Sequence, residues 1–412
     1  MSLKTFLQKN VPLSLKLSLK ERLATLRSGS SSLTRGEPLL GKEHPAILVC
    51  DERIPSPDRD AGSARMFLIL EALAKSNRIV FLVFNRPHGI EYEQALWKMG
   101  IETGEAADYR RLIKQRSFAA AILSRPAIAG AMLRPVRRAD PKLKIIYDML
   151  DVHHLRSARE AALTGDRHTA RESEKLRRLE TRLARGADVI WCGSSPDQKI
   201  MSRIAPGVPS VVVPTVHKLH GRGPTFAERE HLLFVGNFSH RPNEDAVHFL
   251  AREILPLIRS SLPRVELLVV GVNAPSEFAE YASSGVRLLG YVPDLDPILA
   301  ACRIFVAPIR FGSGVNGKIG EALSYGLPVV TNTIGAEGWE FTDGKEVLIA
   351  DTPDDFASAV VSLYGNRDLW QTLSDSGYRH IAENYTPEVI GEVINESVRE
   401  AVRGSKRFSG PA

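Results

Sequence analysis

The residues best suited to chemistry lie in one stretch of the second half, where a glycine-rich loop joins an apolar strand to a helix. Residues 305–309 are followed by Gly312, Gly314 and Gly317, and the helix is predicted to begin at Gly317 or Lys318. Such a loop leaves backbone N–H groups free to bind an anion, and the helix dipole adds positive potential there. A cation in the first turn, such as Lys318, is unfavourable for a bare helix, so the pattern indicates a negative ligand nearby.

Glu321 follows Lys318 by three residues and shares its face of the predicted helix. A carboxylate only accepts hydrogen bonds, whereas sugar hydroxyls donate them. The loop and these two side chains therefore fit a nucleotide diphosphate, with its phosphates at the loop and sugar hydroxyls at Glu321. A simpler interpretation is a structural loop followed by an exposed Lys318–Glu321 ion pair. The spacing alone leaves both interpretations open.

A second polar cluster follows a predicted strand in the first half, at 145–147. It includes Asp151, His153, His154 and Arg156. Open α/β sheets bind ligands at the carboxyl ends of their strands, so Asp151 and His153 are candidate catalytic residues. The adjacent histidines face opposite ways, and no nearby residues complete a zinc site. A capping aspartate beside a hydrogen-bonded histidine is the structural alternative.

Alternating strands and helices predict the α/β class, with two Rossmann-like, doubly wound parallel sheets. The strands of the first half are predicted at 47–50, 79–84, 145–147, 189–192 and 211–213. Its helices are predicted from Ser63, as the N-cap, and at 112–124 and 166–185. The strands of the second half are predicted at 232–236, 265–271, 286–291, 304–309, 329–330 and 347–349. Its helices are predicted at 244–259 with Asn243 as the N-cap, at 354–382 and at 385–403.

The chain length of 412 residues favours two domains. We expect an N-terminal tail over 1–40, a first domain over 41–215 and a second domain over 216–384. Residues 385–412 are expected to cross back to the first domain as a helix. Asp294 and Asp296 form a D-x-D pattern, but they follow Pro293 at a predicted helix start, so we interpret them as capping residues and expect no metal.

The net charge of +6 belongs to the N-terminal tail, because residues 1–36 hold seven basic residues and one acidic residue. Residues 14–27 can form a basic amphipathic helix, which predicts contact with an anionic membrane surface. Nucleic acid is not an expected partner, since the tail almost lacks aromatic side chains for stacking. The sequence contains no apolar run long enough to span a membrane and no secretory signal, so a cytoplasmic location is expected. Cys50, Cys192 and Cys302 lack metal spacing and are expected to be buried thiols.

The two halves with their linker resemble the GT-B glycosyltransferases, which implies that the two domains face each other across a cleft. The second half resembles the retaining enzymes of glycosyltransferase family 4. The resemblance covers roughly residues 45–400. The segments that carry it in the second half are 234–236, 240–247, 269–271, 290–294, 312–323, 326–330 and 335–338. Those in the first half are 57–63 and 151–156.

The resemblance implies a nucleotide-sugar donor bound mainly by the second domain, near Gly236 and Asn237. Glu321 matches the second glutamate of the family's E-x7-E motif and would hold the ribose. The diphosphate would meet the loop amides, and those residues are Gly312, Ser313, Gly314, Val315, Asn316 and Gly317. Ser313 stands in place of the first motif glutamate, and Asn237 and Pro242 stand near the usual Arg and Lys. Arg241 and Lys318 are the expected substitutes for those two cations.

The implied activity is transfer of a sugar from a nucleotide-diphosphate sugar to a glycan, a lipid-linked glycan or another hydroxyl, with retention and without a metal or other cofactor. Such an activity would fit polysaccharide biosynthesis of the cell envelope, at the inner face of the membrane. A nucleotide-sugar 2-epimerase, a catalytically silent nucleotide-sugar-binding module and a phosphorylase that uses a sugar phosphate remain alternatives.

Overall fold

The computed structural model describes residues 34–85 and 90–404. The predicted basic helix over 14–27 lies outside the described residues. Where it is described, the chain forms two α/β domains, each built on one sheet.

The sheet of the first domain has eight strands in the order β1-β4-β3-β2-β5-β6-β7-β8. Its strands pair in parallel, except that the short β1 is antiparallel to β4. The strands are β1 Thr34–Arg35, β2 Ala46–Arg53, β3 Arg78–Asn85, β4 Glu102–Glu105, β5 Ala120–Ser124, β6 Lys144–Asp148, β7 Val189–Cys192 and β8 Ser210–Val212.

The sheet of the second domain has six parallel strands in the order β11-β10-β9-β12-β13-β14. They are β9 Glu230–Val235, β10 Leu267–Val270, β11 Val286–Gly290, β12 Cys302–Ala307, β13 Val329–Thr331 and β14 Leu348–Ile349. Apolar clusters cover both faces of each sheet, as continuous apolar strands require. The two doubly wound sheets confirm the predicted fold class.

Helices connect most of the strands. In the first domain they are α1 Ala61–Ala74, α2 Ile90–Lys98, α3 Tyr109–Gln115, α4 Pro126–Ala139, α5 His153–Thr164, α6 Arg167–Gly186 and α7 Ser195–Ile204. In the second half they are α8 Arg241–Phe249, α9 Leu255–Ser261, α10 Asp296–Ala301, α11 Gly317–Ser324, α12 Pro353–Gly365, α13 Arg367–Asn384 and α14 Pro387–Arg403. None of the helices in the described ranges combines the length and apolarity needed to cross a membrane.

Two predicted elements of the first domain are wrong. The helix expected over 112–124 is the short helix α3, a loop and the central strand β5. An apolar run of five residues fits a buried strand as well as a helix, and here it pairs with β2 and β6. Helix α1 begins at Ala61, because Asp60 and not Ser63 is the N-cap and accepts the Ser63 N–H at 2.8 Å.

Two predicted helices of the second half also differ. The helix expected at 244–259 begins at Arg241 and widens into a π-turn over Leu250–Ile254, next to Pro256, whose nitrogen has no hydrogen to donate. Asn243 is therefore inside α8. The helix expected over 354–382 is divided at Asn366, whose side chain caps α13 by accepting the Leu369 N–H at 3.1 Å.

The prediction for the cysteines is confirmed, since Cys50, Cys192 and Cys302 are buried and unpaired. The capping prediction is wrong in detail: the N-cap of α10 is Leu295 and no side chain caps this helix. Asp294 accepts the Asp296 N–H at 3.0 Å just before it, and Asp296 accepts from the Tyr325 hydroxyl.

Helix α14 packs against the first domain, although it follows the second in sequence. Ile390, Ile394 and Val398 lie in the same apolar cluster as α1. The Trp191 indole N–H donates to Ser397 Oγ at 2.6 Å, and Asn395 Nδ2 donates to the Ala72 carbonyl at 3.1 Å. The chain therefore crosses between the domains twice, once before the second sheet and once before α14.

The packing of α14 predicts that Ile394→Ala destabilises the first domain. Ile394 is fully buried, so the truncation should lower the free energy of unfolding by about 2–5 kcal/mol. Val402→Ala on the same helix is the control, since Val402 is 41% exposed and should change stability by less than about 0.5 kcal/mol. Denaturant unfolding followed by tryptophan fluorescence measures both, and equal effects of the two substitutions would contradict this account.

Candidate active site

A cleft of about 880 Å³ lies between the two domains, and both contribute to its walls. Its size is that of a site for a small molecule or cofactor. Of the residues predicted from sequence, those that line it are Asp151, His153, Gly236, Asn237, Gly312, Ser313, Gly314, Val315, Asn316, Gly317, Lys318 and Glu321. The structure thus brings together the two clusters that the sequence analysis singled out, one from each domain.

The glycine-rich loop connects β12 to α11. Gly314 has φ +71°, a left-handed conformation that glycine adopts readily and other residues do not. The Asn316 side chain stands at the N-cap position but does not cap α11. The first-turn N–H groups are therefore not satisfied by this side chain, and the loop keeps the geometry expected of an anion site.

Lys318 is a cation with neutral partners. Its ammonium donates to Asn243 Oδ1 and lies 4.5 Å from the centroid of the Phe234 ring. Across the described part of the chain, no carboxylate lies within ion-pair distance of it. Desolvation in the cleft wall lowers the pKa of Lys318 to about 7. The Lys318–Glu321 ion pair of the simpler interpretation does not form, because the two side chains take different partners.

Glu321 faces the cleft one turn further along α11. Its carboxylate lies 3.4 Å from Nδ1 of His217, a buried residue of the segment that joins the domains. The Glu321 side chain is 42% exposed and can reach a ligand. The His217 ring also lines the cleft, although the sequence analysis did not single it out.

Asp151 and His153 form a charged pair on the opposite wall. His153 Nδ1 lies 3.0 Å from Asp151 Oδ1, and Arg156 Nη1 lies 2.5 Å from Asp151 Oδ2. Burial alone would raise the pKa of the Asp151 carboxyl, but the charges of His153 and Arg156 outweigh it and hold that pKa well below its usual range. Burial would lower the pKa of His153, but the Asp151 charge outweighs burial and raises this pKa to about 9. At neutral pH the pair is therefore ionised.

The first domain contacts the glycine-rich loop directly. Ser313 Oγ donates to Asp151 Oδ2 at 2.8 Å. Arg159 donates to the Gly312 carbonyl at 2.7 Å and pairs with Glu337 at 2.5 Å. The shape of the loop therefore depends on the first domain as well as the second.

Arg241 is not where the sequence analysis expected it. It does not line the cleft, its side chain is 64% exposed, and its guanidinium lies 2.6 Å from Glu160 of the first domain. As the first residue of α8, it projects towards α5. Arg241 therefore forms an ion pair between the two domains and lies outside the cleft that the other predicted residues line.

Sequence reasoning also missed other residues of the cleft. His240, Asn243 and Arg156 line it. Desolvation in the cleft, followed by the cations Arg156 and Lys318, lowers the pKa of His240 to about 4, so this histidine is neutral where His153 is charged. The available signal was their position shortly after β6 and β9, at the N-cap or in the first turn of the next helix, at the edge of a sheet where ligands bind.

The fit of the loop against the first domain predicts that Gly314→Ala favours an open arrangement of the domains. A Cβ at Gly314 would lie 2.8 Å from Asp151 Cβ, closer than such atoms approach. Gly344→Ala is the matched control, because Gly344 has φ +77° and no neighbour within 4 Å, so both variants carry a left-handed penalty of about 1–2 kcal/mol. Small-angle X-ray scattering should show a larger radius of gyration for Gly314→Ala alone. Identical scattering from the two variants would contradict the prediction.

Comparisons with known proteins agree with this architecture. Residues 229–366 match the family described as Glycosyl transferases group 1. A protein named as an uncharacterized 44.6 kDa protein in the cps region of Klebsiella pneumoniae is 25% identical over 169 residues, which cover 39% of this chain and 43% of that protein. The match thus spans less than half the length of this relative.

Solved structures share the fold over most of the chain. Sucrose-phosphate synthase from Thermosynechococcus elongatus has a TM-score of 0.68 at 14% identity, with 88% of this chain and 100% of that chain covered. HepE of Anabaena, in complex with UDP-glucose, has a TM-score of 0.66 at 13% identity, with 87% and 100% covered. The chain therefore has the GT-B fold, and residues 229–366 of its second half match the model of the glycosyl transferases group 1 family.

Proposed function

We propose that this protein transfers a sugar from a nucleotide-diphosphate sugar to a hydroxyl of a glycan or lipid-linked acceptor. The observation that carries the proposal is the Lys318 ammonium, which lies beside the glycine-rich loop with only neutral partners. A partly desolvated cation without a counter-ion is unfavourable, and a bound diphosphate would supply the missing charge. The match to glycosyl transferases group 1 and the UDP-glucose complex of HepE support this ligand class.

The chemistry would follow from where charge develops. Glycosyl transfer releases a nucleoside diphosphate, on which negative charge develops in the transition state. Hydrogen-bond donors and cations that are already in place around it lower the barrier. We assign that role to Lys318 and to the amides of residues 312–317. Glu321 would accept hydrogen bonds from the ribose hydroxyls.

The opposite wall would serve the sugar and the acceptor. Asp151 and His153 are ionised at neutral pH and face the loop from the first domain. We propose that this pair orients the transferred sugar or the accepting hydroxyl. A family-4 subtype, retention of configuration and independence of a metal are parts of the same proposal, and they rest on the resemblance of the motifs. The cytoplasmic location, contact with a membrane through residues 1–36 and a role in cell-envelope polysaccharide synthesis also stay predictions.

The donor is identified by thermal stabilisation with UDP-, GDP-, ADP- and dTDP-sugars, because a ligand of the folded state raises the melting temperature. One nucleotide class should stabilise the protein. Lys318→Ala should abolish this rise in melting temperature and lower turnover by a factor of about 10²–10³. Lys345→Ala is the control, since Lys345 is 69% exposed and does not line the cleft. No shift with any of the four classes would refute the donor site, and turnover of the donor without an acceptor would favour the 2-epimerase.

The pKa of Lys318 predicts how donor affinity depends on pH. Lys318 is charged below about pH 7 in the free protein, and the diphosphate should raise its pKa, so binding takes up a proton above that pH. The dissociation constant should be constant below pH 7 and should rise by up to about tenfold per pH unit above it. Lys318→Arg keeps its charge throughout and should remove this dependence. Titration calorimetry between pH 6 and 9 measures it, and an unchanged slope in Lys318→Arg would assign the effect to another group.

A further inference from the structure

His217 lies where the two domains meet and touches the proposed ribose site. Its side chain is 6% exposed. Nδ1 lies 3.4 Å from Glu321 Oε2, and Nε2 lies 3.1 Å from Thr215 Oγ1. No other hydrogen-bond or ion-pair partner of the Glu321 carboxylate is found among the described residues.

The chemistry of these neighbours fixes the direction of the hydrogen bonds. A carboxylate only accepts, so the hydrogen of the ring is on Nδ1 and is directed at Glu321. Nε2 is then the acceptor, and the Thr215 hydroxyl donates to it. Glu321 therefore selects this tautomer, and Thr215, whose hydroxyl can donate, satisfies the other ring nitrogen.

The surrounding structure holds the ring in this position. The backbone N–H of His217 donates to the Tyr385 carbonyl at 2.8 Å. This hydrogen bond joins the two segments that cross between the domains. The His217 and Trp339 rings lie 5.7 Å apart. A Cβ at Gly320 would be 2.5 Å from His217 Nε2 and 2.3 Å from Trp339 Cη2, so the absence of a side chain at Gly320 admits both rings beside Glu321.

We propose that His217 is a positioning residue that holds the Glu321 carboxylate ready for the ribose hydroxyls of the donor. The inference rests on the proposed function and deepens it. A glutamate on a helix surface samples several rotamers, and fixing one before binding removes that entropy from the binding step. His217 belongs to the segment that joins the two domains. The position of Glu321 at the ribose therefore depends on this interdomain segment.

Two substitutions separate positioning from packing. His217→Phe keeps an aromatic ring against Trp339 and Gly320 but loses the donor. His217→Asn loses the ring but keeps an N–H close to the position of Nδ1. The readout is the ratio of dissociation constants for 2′-deoxy-UDP and UDP, measured by calorimetry, with the GDP and ADP pairs measured in the same way.

The wild-type protein should prefer the ribose form by about tenfold or more, because a hydrogen bond to a charged group is lost with the 2′-hydroxyl. The ratio should fall towards one in Glu321→Ala and His217→Phe and should be largely kept in His217→Asn. His217→Phe should have no further effect on the ratio in the Glu321→Ala background. If His217→Phe does not fold, Thr215→Val provides the test, since it removes the hydrogen bond at Nε2 that helps to hold the ring beside Glu321 and should also lower the ratio.

Three results would overturn the inference. The first is a ratio in His217→Phe equal to that of the wild-type protein, and the second is a ratio near one in both His217→Phe and His217→Asn. The third is a ratio near one in the wild-type protein itself, despite tight UDP binding. The last result would leave the donor site in place and remove only the role of His217 and Glu321 at the ribose. If UDP, GDP, ADP and dTDP all fail to bind to the wild-type protein, the proposed function fails together with this inference. Binding of dTDP alone would keep the proposed function and overturn only the inference, because dTDP has no 2′-hydroxyl.

Discussion

The architecture of the cleft follows from one unfavourable electrostatic arrangement. Lys318 carries its ammonium in the first turn of α11, where the helix dipole opposes it, and its neighbours Asn243 and Phe234 are neutral. The amide oxygen and the ring quadrupole each stabilise the charge only in part. The lowered pKa of Lys318 expresses this imbalance, which an anion at the glycine-rich loop would correct. A negatively charged ligand would therefore gain binding free energy by compensating the charge of Lys318.

The loop beside Lys318 is held from both sides of the cleft. β12 and α11 anchor it in the second domain, while Asp151 and Arg159 reach it from the first. Other contacts between the domains, such as Arg241 with Glu160 and Tyr291 with Asp58, lie around the same opening. Because these are hydrogen bonds and ion pairs at the rim, they can break and reform when the domains move. The site is therefore complete only when the two domains are close together.

The sequence predicted the sheets better than their connections. Continuous apolar runs such as Ile79–Phe84 identify buried parallel strands directly. The run at 120–124 was misassigned because a short apolar run has no period that separates strand from helix. The glycine-rich loop was predictable because its signals are local in sequence: glycines such as Gly314 between a strand and a helix, and the cation Lys318 in the first helical turn. His217 was not, since a histidine in a linker acquires its role only through contacts with Trp339 and Glu321 that are distant in sequence.

The resemblance of the motifs predicts a glutamate at position 313, and these contacts between the domains give a physical reason why a serine fits there. Ser313 Oγ lies 2.8 Å from the Asp151 carboxylate, and Gly314 lies against the Asp151 backbone. A glutamate at 313 would bring a second carboxylate towards Asp151. Repulsion between the two negative charges would strongly raise the pKa of one of the two carboxyl groups. A hydroxyl instead donates to Asp151 and strengthens its ionised form. The negative charge at this end of the loop is therefore contributed by the first domain, so the small residue at 313 and the acidic residue at 151 are two parts of one arrangement.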